Sequence, residues 1–395
     1  MRFSVFATLA FLAFSNAGYF NHIEDEWSFD LDEGEQSSWM SRMKDDVPLT
    51  QLVIPGTHNS MSYGVENGLF QTQNVPLEQQ LLGGIRYIEI TCRYIDQKMA
   101  VYYGMADTGY SLDSVLTTIY NFLDEYPSET IILRIQKGGM FDFNTFITSM
   151  EGYFVPGSDL GDRAEYSIHA GNPYDIVFPT LGEARGKIVI LQDFASNPPG
   201  RYGIPWGLHT VSNHNSWLSP VGLFLSFKWA AVRYHLNLDR LNDDDKLRIT
   251  HTTGNLGIRP ISVAAQYGNN PGMNELLGRY LVQGEGNCFG IVVMDFPGRQ
   301  LVEEILIHNS RHLLPELTNL PDQNAIDAVE GADFNYTDTA EEADVSPAET
   351  PEEFDFNSIS DFEPPPVEDS DDESSDDDYS YDEYSYDENL PTLVR

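Results

Sequence analysis

The chain has 395 residues, 41% of them hydrophobic, and a formal net charge of −40. That length and apolar content suit one core of roughly 250 residues with appendages better than two small domains. So acidic a chain is a poor electrostatic partner for nucleic acid.

The opening stretch, MRFSVFATLAFLAFSNA, combines Arg2, an apolar run from Phe3 to Phe14 and small residues at Ser15 and Ala17. This pattern predicts a secretory signal over residues 1–17, cleaved after Ala17, and a secreted, extracellular protein. The run is shorter than a membrane span, and no later stretch reaches about 18 apolar residues, so the mature chain is expected to be soluble. Residues 18–45 read as an irregular lead-in carrying Trp27 and Trp39.

From Thr50 short apolar runs alternate with helical patterns. LTQLVIPGTH reads as a first strand, VPLEQQLLGGI as a helix stopped by Gly83 and Gly84, and RYIEITCR as a second strand. MAVYYG is a short strand, LDSVLTTIYNFLDEYP an amphipathic helix ending before Pro127, and ETIILRIQ and RGKIVILQDF are further strands. The stretch from about Ala195 to Gly257 reads as irregular apart from a helix around Val221 to Leu236. GMNELLGRYLV is then a helix, NCFGIVVMDFPG a strand and RQLVEEILIHNSRHL a final helix. Ile- and Val-rich strands alternating with helices predict an α/β fold with a parallel sheet, and their number over residues 46–315 favours a closed barrel over an open doubly wound sheet.

Residues 321–395 hold 26 acidic residues against one basic, few aliphatics and many Ser, Pro and Tyr. Such a tail is expected to be disordered and solubilising, repelled by nucleic acid and anionic membranes, and suited on charge to cationic proteins or divalent ions. It contains the glycosylation sequon NYT at Asn335. Cys92, placed just past the end of the second strand, and Cys288, just before the last, would sit at opposite rims of a parallel barrel. Two buried thiols are therefore expected rather than a disulfide.

In parallel barrels functional groups sit at the C-terminal ends of strands. Here those positions hold His58, Thr91 to Arg93, Tyr103, Gln136 with Lys137, Asp193 and Asp295. The first and last strands of a closed barrel are neighbours, so His58 and Asp295 are placed to form an imidazole–carboxylate pair.

The segments QLVIPGTHNSMSYG, GIRYIEITCR, YPSETIILRI, EARGKIVILQDF and GIVVMDF resemble, in order and spacing, the X-region barrel of phosphatidylinositol-specific phospholipases C, of the single-domain secreted bacterial and fungal type. The resemblance runs from about Pro48 to His308 and is specific at His58 and through PSET. It implies a distorted TIM (β/α)8 barrel and a phosphoric diester hydrolase in which one histidine deprotonates the inositol 2-hydroxyl for in-line attack on phosphorus. A second histidine protonates the leaving diacylglycerol oxygen, and a cation stabilises the phosphoryl charge.

Carried over by position, the resemblance makes His58 the general base and Asp295 its partner, with Tyr103 where the second histidine stands. Thr91 falls where metal-free relatives have an arginine, Gln136 where they have a lysine, and Asp193 where they have another arginine. In the calcium-dependent branch the ligands correspond to Asn59 and Glu89, with Thr91 and Gln136 replacing the two remaining carboxylates. That leaves a weak calcium site and no cofactor as the expectation. Asn59, Glu89, Thr91, Arg93, Arg134 and Gln136 form the expected substrate-contacting set. Arg134 or Arg93 would replace the missing cation, unless Arg134 is instead a buried partner of Glu89.

Two further features border this picture. His209 and His214 lie in the irregular stretch, and Trp206, Trp217 and Phe224 are either an apolar rim for a lipid surface or core. The resemblance implies a monomer acting on a phospholipid or phosphoinositol-type headgroup at a transient membrane contact. The alternative is a catalytically degenerate barrel that binds a headgroup or a protein.

Overall fold

The chain is described by a computed structural model covering residues 18–139, 143–169, 177–215, 223–238, 245–254, 258–267, 270–284 and 289–315. The signal segment, the acidic tail with Asn335, Cys288 and Trp217 lie outside these residues.

Ile- and Val-rich runs buried on both faces are the mark of parallel strands covered by helices, and the chain has several. After an antiparallel hairpin of β1 (Gly18–Phe20) and β2 (Ile23–Asp25), the barrel begins with β3 (Ile54–Thr57), α1 (Leu77–Leu82) and β4 (Tyr87–Ile95). β5 (Lys98–Tyr103) and β6 (Ala106–Ser111) lead into α2 (Leu112–Glu125), whose start is closed by a capping box between Ser111 and Ser114. Next come β7 (Ile131–Lys137), α3 (Phe143–Phe154), α4 (Asp159–Ser167), α5 (Leu181–Ala184), β8 (Ile188–Asp193), β9 (Ile204–Pro205) and β10 (Val211–His214). The chain continues through α6 (Leu223–Leu236), β11 (Leu247–His251), α7 (Pro260–Ala264), the short pair β12 (Gln266–Tyr267) and β13 (Asn270–Pro271), α8 (Met273–Val282), β14 (Ile291–Met294) and α9 (Arg299–Ile307).

The main sheet runs β10-β11-β14-β3-β4-β7-β8-β9, with every neighbouring pair parallel. It curls into a barrel wall with helices outside, as the distorted TIM barrel expectation requires, and first and last Ile/Val strands β3 and β14 are indeed adjacent. The ends of the path, β9 and β10, are not paired with each other among the described residues.

The short strand MAVYYG is β5, which pairs antiparallel with β4 and β6 and forms a ribbon that hangs off the extended β4. Two expectations change. Cys92 lies within β4 rather than past its end, because β4 continues to Ile95 to carry that ribbon; it is a free, buried thiol, and burial pushes it up to about 12. The stretch 195–257 holds, besides the expected helix α6, the strands β9, β10 and β11. Its strands are short and mixed with polar residues (VSNH, LRITH), which hides the apolar run expected of a buried parallel strand.

The lead-in runs along the barrel wall. Near the C-terminal rim the Phe29 N–H donates to the Phe296 carbonyl at 3.3 Å, and at the opposite end the Trp39 indole donates to the Gly84 carbonyl at 3.0 Å. Arg86, fully buried, joins the two through Glu129 of PSET.

Gly56 of IPGTH has a steric reason. A Cβ there would lie 2.7 Å from Cδ1 and 2.9 Å from Cβ of the buried Tyr87. Gly56→Ala is therefore expected to cost about 1–3 kcal/mol by overpacking, read as a lowered midpoint in denaturant unfolding.

Candidate active site

Register assembles the site. β14 pairs with β3 so that Met294 faces Thr57, which sets the next residues, Asp295 and His58, side by side at the rim. His58 Nδ1 lies 2.8 Å from Asp295 Oδ1, with both residues buried. The carboxylate makes Nδ1 the protonated nitrogen, and Nε2 accepts from the Asn59 amide at 2.7 Å. Asp295 Oδ2 in turn accepts from the Gly254 N–H at 3.2 Å. The His58 carbonyl is pinned by the Thr72 hydroxyl at 2.7 Å and the Gln73 amide at 3.0 Å. Asn59 takes φ +40°, a left-handed conformation that Asn tolerates better than most residues.

Burial alone would lower the His58 pKa, but Asp295 and, more weakly, Glu89 reverse that and raise it above its usual value. Glu89 Oε1 is 3.8 Å from His58 Nε2.

Period-two alternation turns Tyr87, Glu89, Thr91 and Arg93 of β4 to one face, and register puts Arg134 opposite Glu89 and Gln136 opposite Thr91. Glu89 Oε2 accepts from the Tyr87 hydroxyl at 3.1 Å, Arg134 Nη1 at 3.3 Å and His251 Nε2 at 3.3 Å. Burial opposes the Glu89 charge, yet His251 and Arg134 outweigh it and hold the carboxyl well below its usual range. Arg134 also donates to Asp193 Oδ2 through Nε at 3.1 Å and Nη2 at 2.7 Å, and stacks over Trp206 at 3.7 Å. Thr91 contacts Gln136 at 3.4 Å.

Tyr103 reaches the site from the ribbon, its ring 5.5 Å from that of His58 and 5.7 Å from Phe70. Arg93 turns away, over the Tyr102 ring and onto the Gly104 carbonyl. His209 is exposed, and His214 lies on β10, stacked on His235. Phe224 lies within α6.

Asn59 and Glu89 do not form a calcium site. The carboxylate is already held by a guanidinium, the Asn59 amide serves His58, and Thr91 and Gln136 bring no charge.

Two groups escape notice in sequence. His251 is fully buried with its ring 6.2 Å from that of His58; burial lowers its pKa, and its Nδ1 has no hydrogen-bond partner among the described residues. Lys228 of α6 is buried near Asp295. Neither sits in an apolar-strand pattern, and only the fold brings them to the rim.

Residues 46–193 match the model of the phosphatidylinositol-specific phospholipase C X domain. The 1-phosphatidylinositol phosphodiesterase of Listeria monocytogenes is 29% identical over 291 residues, covering 69% of this chain and 84% of that protein. A Staphylococcus aureus protein of the same name is 28% identical over 159 residues, or 39% of this chain and 49% of that one. In structure, the Listeria monocytogenes phosphatidylinositol-specific phospholipase C superposes with a TM-score of 0.59 at 26% identity, over 70% of this chain and 99% of that one. A Staphylococcus aureus phospholipase C variant gives 0.54 at 19% identity, over 71% and 99%, a likeness of fold. With the β3–β14 register setting His58 against Asp295 at the rim of such a barrel, the chain is similar over residues 46–193 to the X domain of the phosphatidylinositol-specific phospholipase C family.

Proposed function

We propose that this protein is a phosphodiesterase of the phosphatidylinositol-specific phospholipase C type, cleaving a phosphoinositol-type lipid between phosphate and glycerol. The observation that carries the reading is the buried pair of His58 Nδ1 and Asp295 Oδ1 at 2.8 Å, which leaves Nε2 to act on substrate. In this scheme the Asn59 amide swings off Nε2, and Nε2 takes the proton of the inositol 2-hydroxyl as its oxygen attacks phosphorus in line. The bond to the glycerol oxygen breaks, and that oxygen receives a proton from the Tyr103 side of the site, leaving cyclic inositol phosphate. Exposed Tyr63, Leu69 and Met105, beside Phe70, give the mouth an apolar lip suited to a lipid surface. The family's secreted bacterial members and the predicted signal together support an extracellular protein.

The test is incubation of the mature protein with phosphatidylinositol vesicles, with product resolved by phosphorus NMR. Cyclic inositol phosphate is expected at the same rate with added calcium or with chelator; no product at any pH sinks the enzymatic reading. A second reading, a barrel that binds a headgroup without turnover, is favoured by Arg134 being held by Glu89 and Asp193 and by Thr91 meeting only Gln136. Under that reading, Tyr103→His combined with Thr91→Arg produces activity that the wild type lacks.

A further inference from the structure

The His58–Asp295 pair sits where the sheet gives out. Met294 with Thr57 is the last register pair of β14 and β3, and beyond it the His58 N–H still donates to the Met294 carbonyl at 3.0 Å. One residue past the pair both chains turn left-handed, Asn59 at φ +40° and Phe296 at φ +46°. Strand pairing therefore ends at the residues whose spacing the chemistry needs. We propose that Gln73, from the segment between β3 and α1, is a positioning residue for the pair: its amide bridges the two strand ends and sets the spacing of imidazole and carboxylate. The proposal deepens the phosphodiesterase reading above and rests on it.

Glutamine is seldom fully buried, and a buried amide must find partners. Gln73 is fully buried, and its Nε2 lies 3.0 Å from the His58 carbonyl and 3.1 Å from the Met294 carbonyl. Both neighbours are acceptors, so the amide turns its two N–H groups to them, one for each strand end. Gln73 Oε1 has no hydrogen-bond partner among the described residues, so the hydrogen bonding of this amide is spent on the seam. The neighbouring side chains each hold one side. The Thr72 hydroxyl donates to the His58 carbonyl at 2.7 Å, and the Asn274 amide donates to the carbonyls of Asp295 at 3.0 Å and Phe296 at 3.1 Å. Gln73 spans both.

The bridge acts within one residue of each partner, because Met294 precedes Asp295 and the other carbonyl is that of His58 itself. Without it the strand ends lose a tie beside the 2.8 Å Nδ1–Oδ1 bond, and a hydrogen bond weakens steeply as its geometry drifts. A weaker bond gives His58 less of the Asp295 support that offsets burial, so its raised pKa falls. The groups facing His58 are Asp295 at the end of β14, Glu89 on β4, Arg134 on β7, His251 on β11 and Tyr103 on β5. A substitution at Gln73 alters none of them.

The test is NMR of the full chain with isotope-labelled histidine, the His58 signals being those that vanish in His58→Gln. Wild type is expected to show a strongly downfield Nδ1 proton and an imidazole that titrates above the ordinary histidine value. Gln73→Met, similar in length but without the amide, should move that titration to lower pH and the Nδ1 proton upfield. Turnover of phosphatidylinositol vesicles should fall about tenfold in kcat with KM changed by less than about twofold, and its rise with pH should begin earlier. Gln73→Asn keeps an amide one methylene too short to reach both carbonyls; it should show the same changes, and it carries the test if Gln73→Met fails to fold. A folded variant with a lowered unfolding midpoint but an unmoved titration and Nδ1 proton makes Gln73 a packing residue and overturns the proposal. The NMR readouts need no turnover. Shifts seen in a protein that never cleaves phosphatidylinositol therefore keep the positioning role and remove only the enzymatic reading.

Discussion

Asp295→Asn is expected to cut turnover of phosphatidylinositol by about 10³ to 10⁴ with KM changed only a few-fold, and His58→Ala to bring it to background. The amide keeps the shape of the carboxylate but offers no charge to the imidazole. His58 Nδ1 then loses the acceptor that fixes which nitrogen carries the proton, and the imidazolium formed in the transition state loses its counter-charge. The pH profile supplies the sharper readout. A base works only when neutral, so the rate rises with pH through the His58 pKa, which burial lowers and Asp295 more than restores, leaving it above its ordinary value. In Asp295→Asn burial wins, and the rise moves to lower pH while the plateau falls. An unmoved limb would show that another group is the base.

The second large effect is on stability. Arg86 and Glu129 are both fully buried, and Glu129 Oε2 accepts from Arg86 Nε at 3.0 Å and Nη2 at 2.8 Å. The guanidinium also donates to the carbonyls of Leu81, Ile85, Gln36 and Ser37. Nearly every donor is used, and one side chain ties the lead-in, the α1–β4 turn and the start of β7 together. Glu129→Gln or Arg86→Met leaves a buried charge or carboxylate without its partner, so each is expected to cost roughly 3–5 kcal/mol, measured by denaturant unfolding. The double change Arg86→Met with Glu129→Leu should cost less than the sum of the singles. Strict additivity would mean that the pair is not coupled.

These two predictions also mark what sequence can show. His58 and Asp295 were legible because each closes an Ile- or Val-rich run, and a parallel barrel must bring its first and last such runs together. PSET stood out as a matching segment, but nothing in four letters says that its glutamate reaches Arg86. β10 and β11 were hidden by their length and polarity, and with them His251, which clamps Glu89 from below the rim. Of the hairpin, only β5 was legible, as a short strand without a direction, because an apolar alternation looks alike in either strand direction and only pairing partners distinguish the two.

The ribbon has a consequence for how such a barrel changes over time. Position 103 belongs to a two-stranded flap attached to one edge of β4, so its identity contributes nothing to the register of the eight parallel strands. The base and its partner have no such latitude, since they are spliced into the seam between β3 and β14 that the fold itself needs. In the proposed scheme the proton donor therefore sits on a flap whose residues can be exchanged while the wall stays intact, whereas the proposed acceptor, His58 with Asp295, cannot be moved without disturbing the seam.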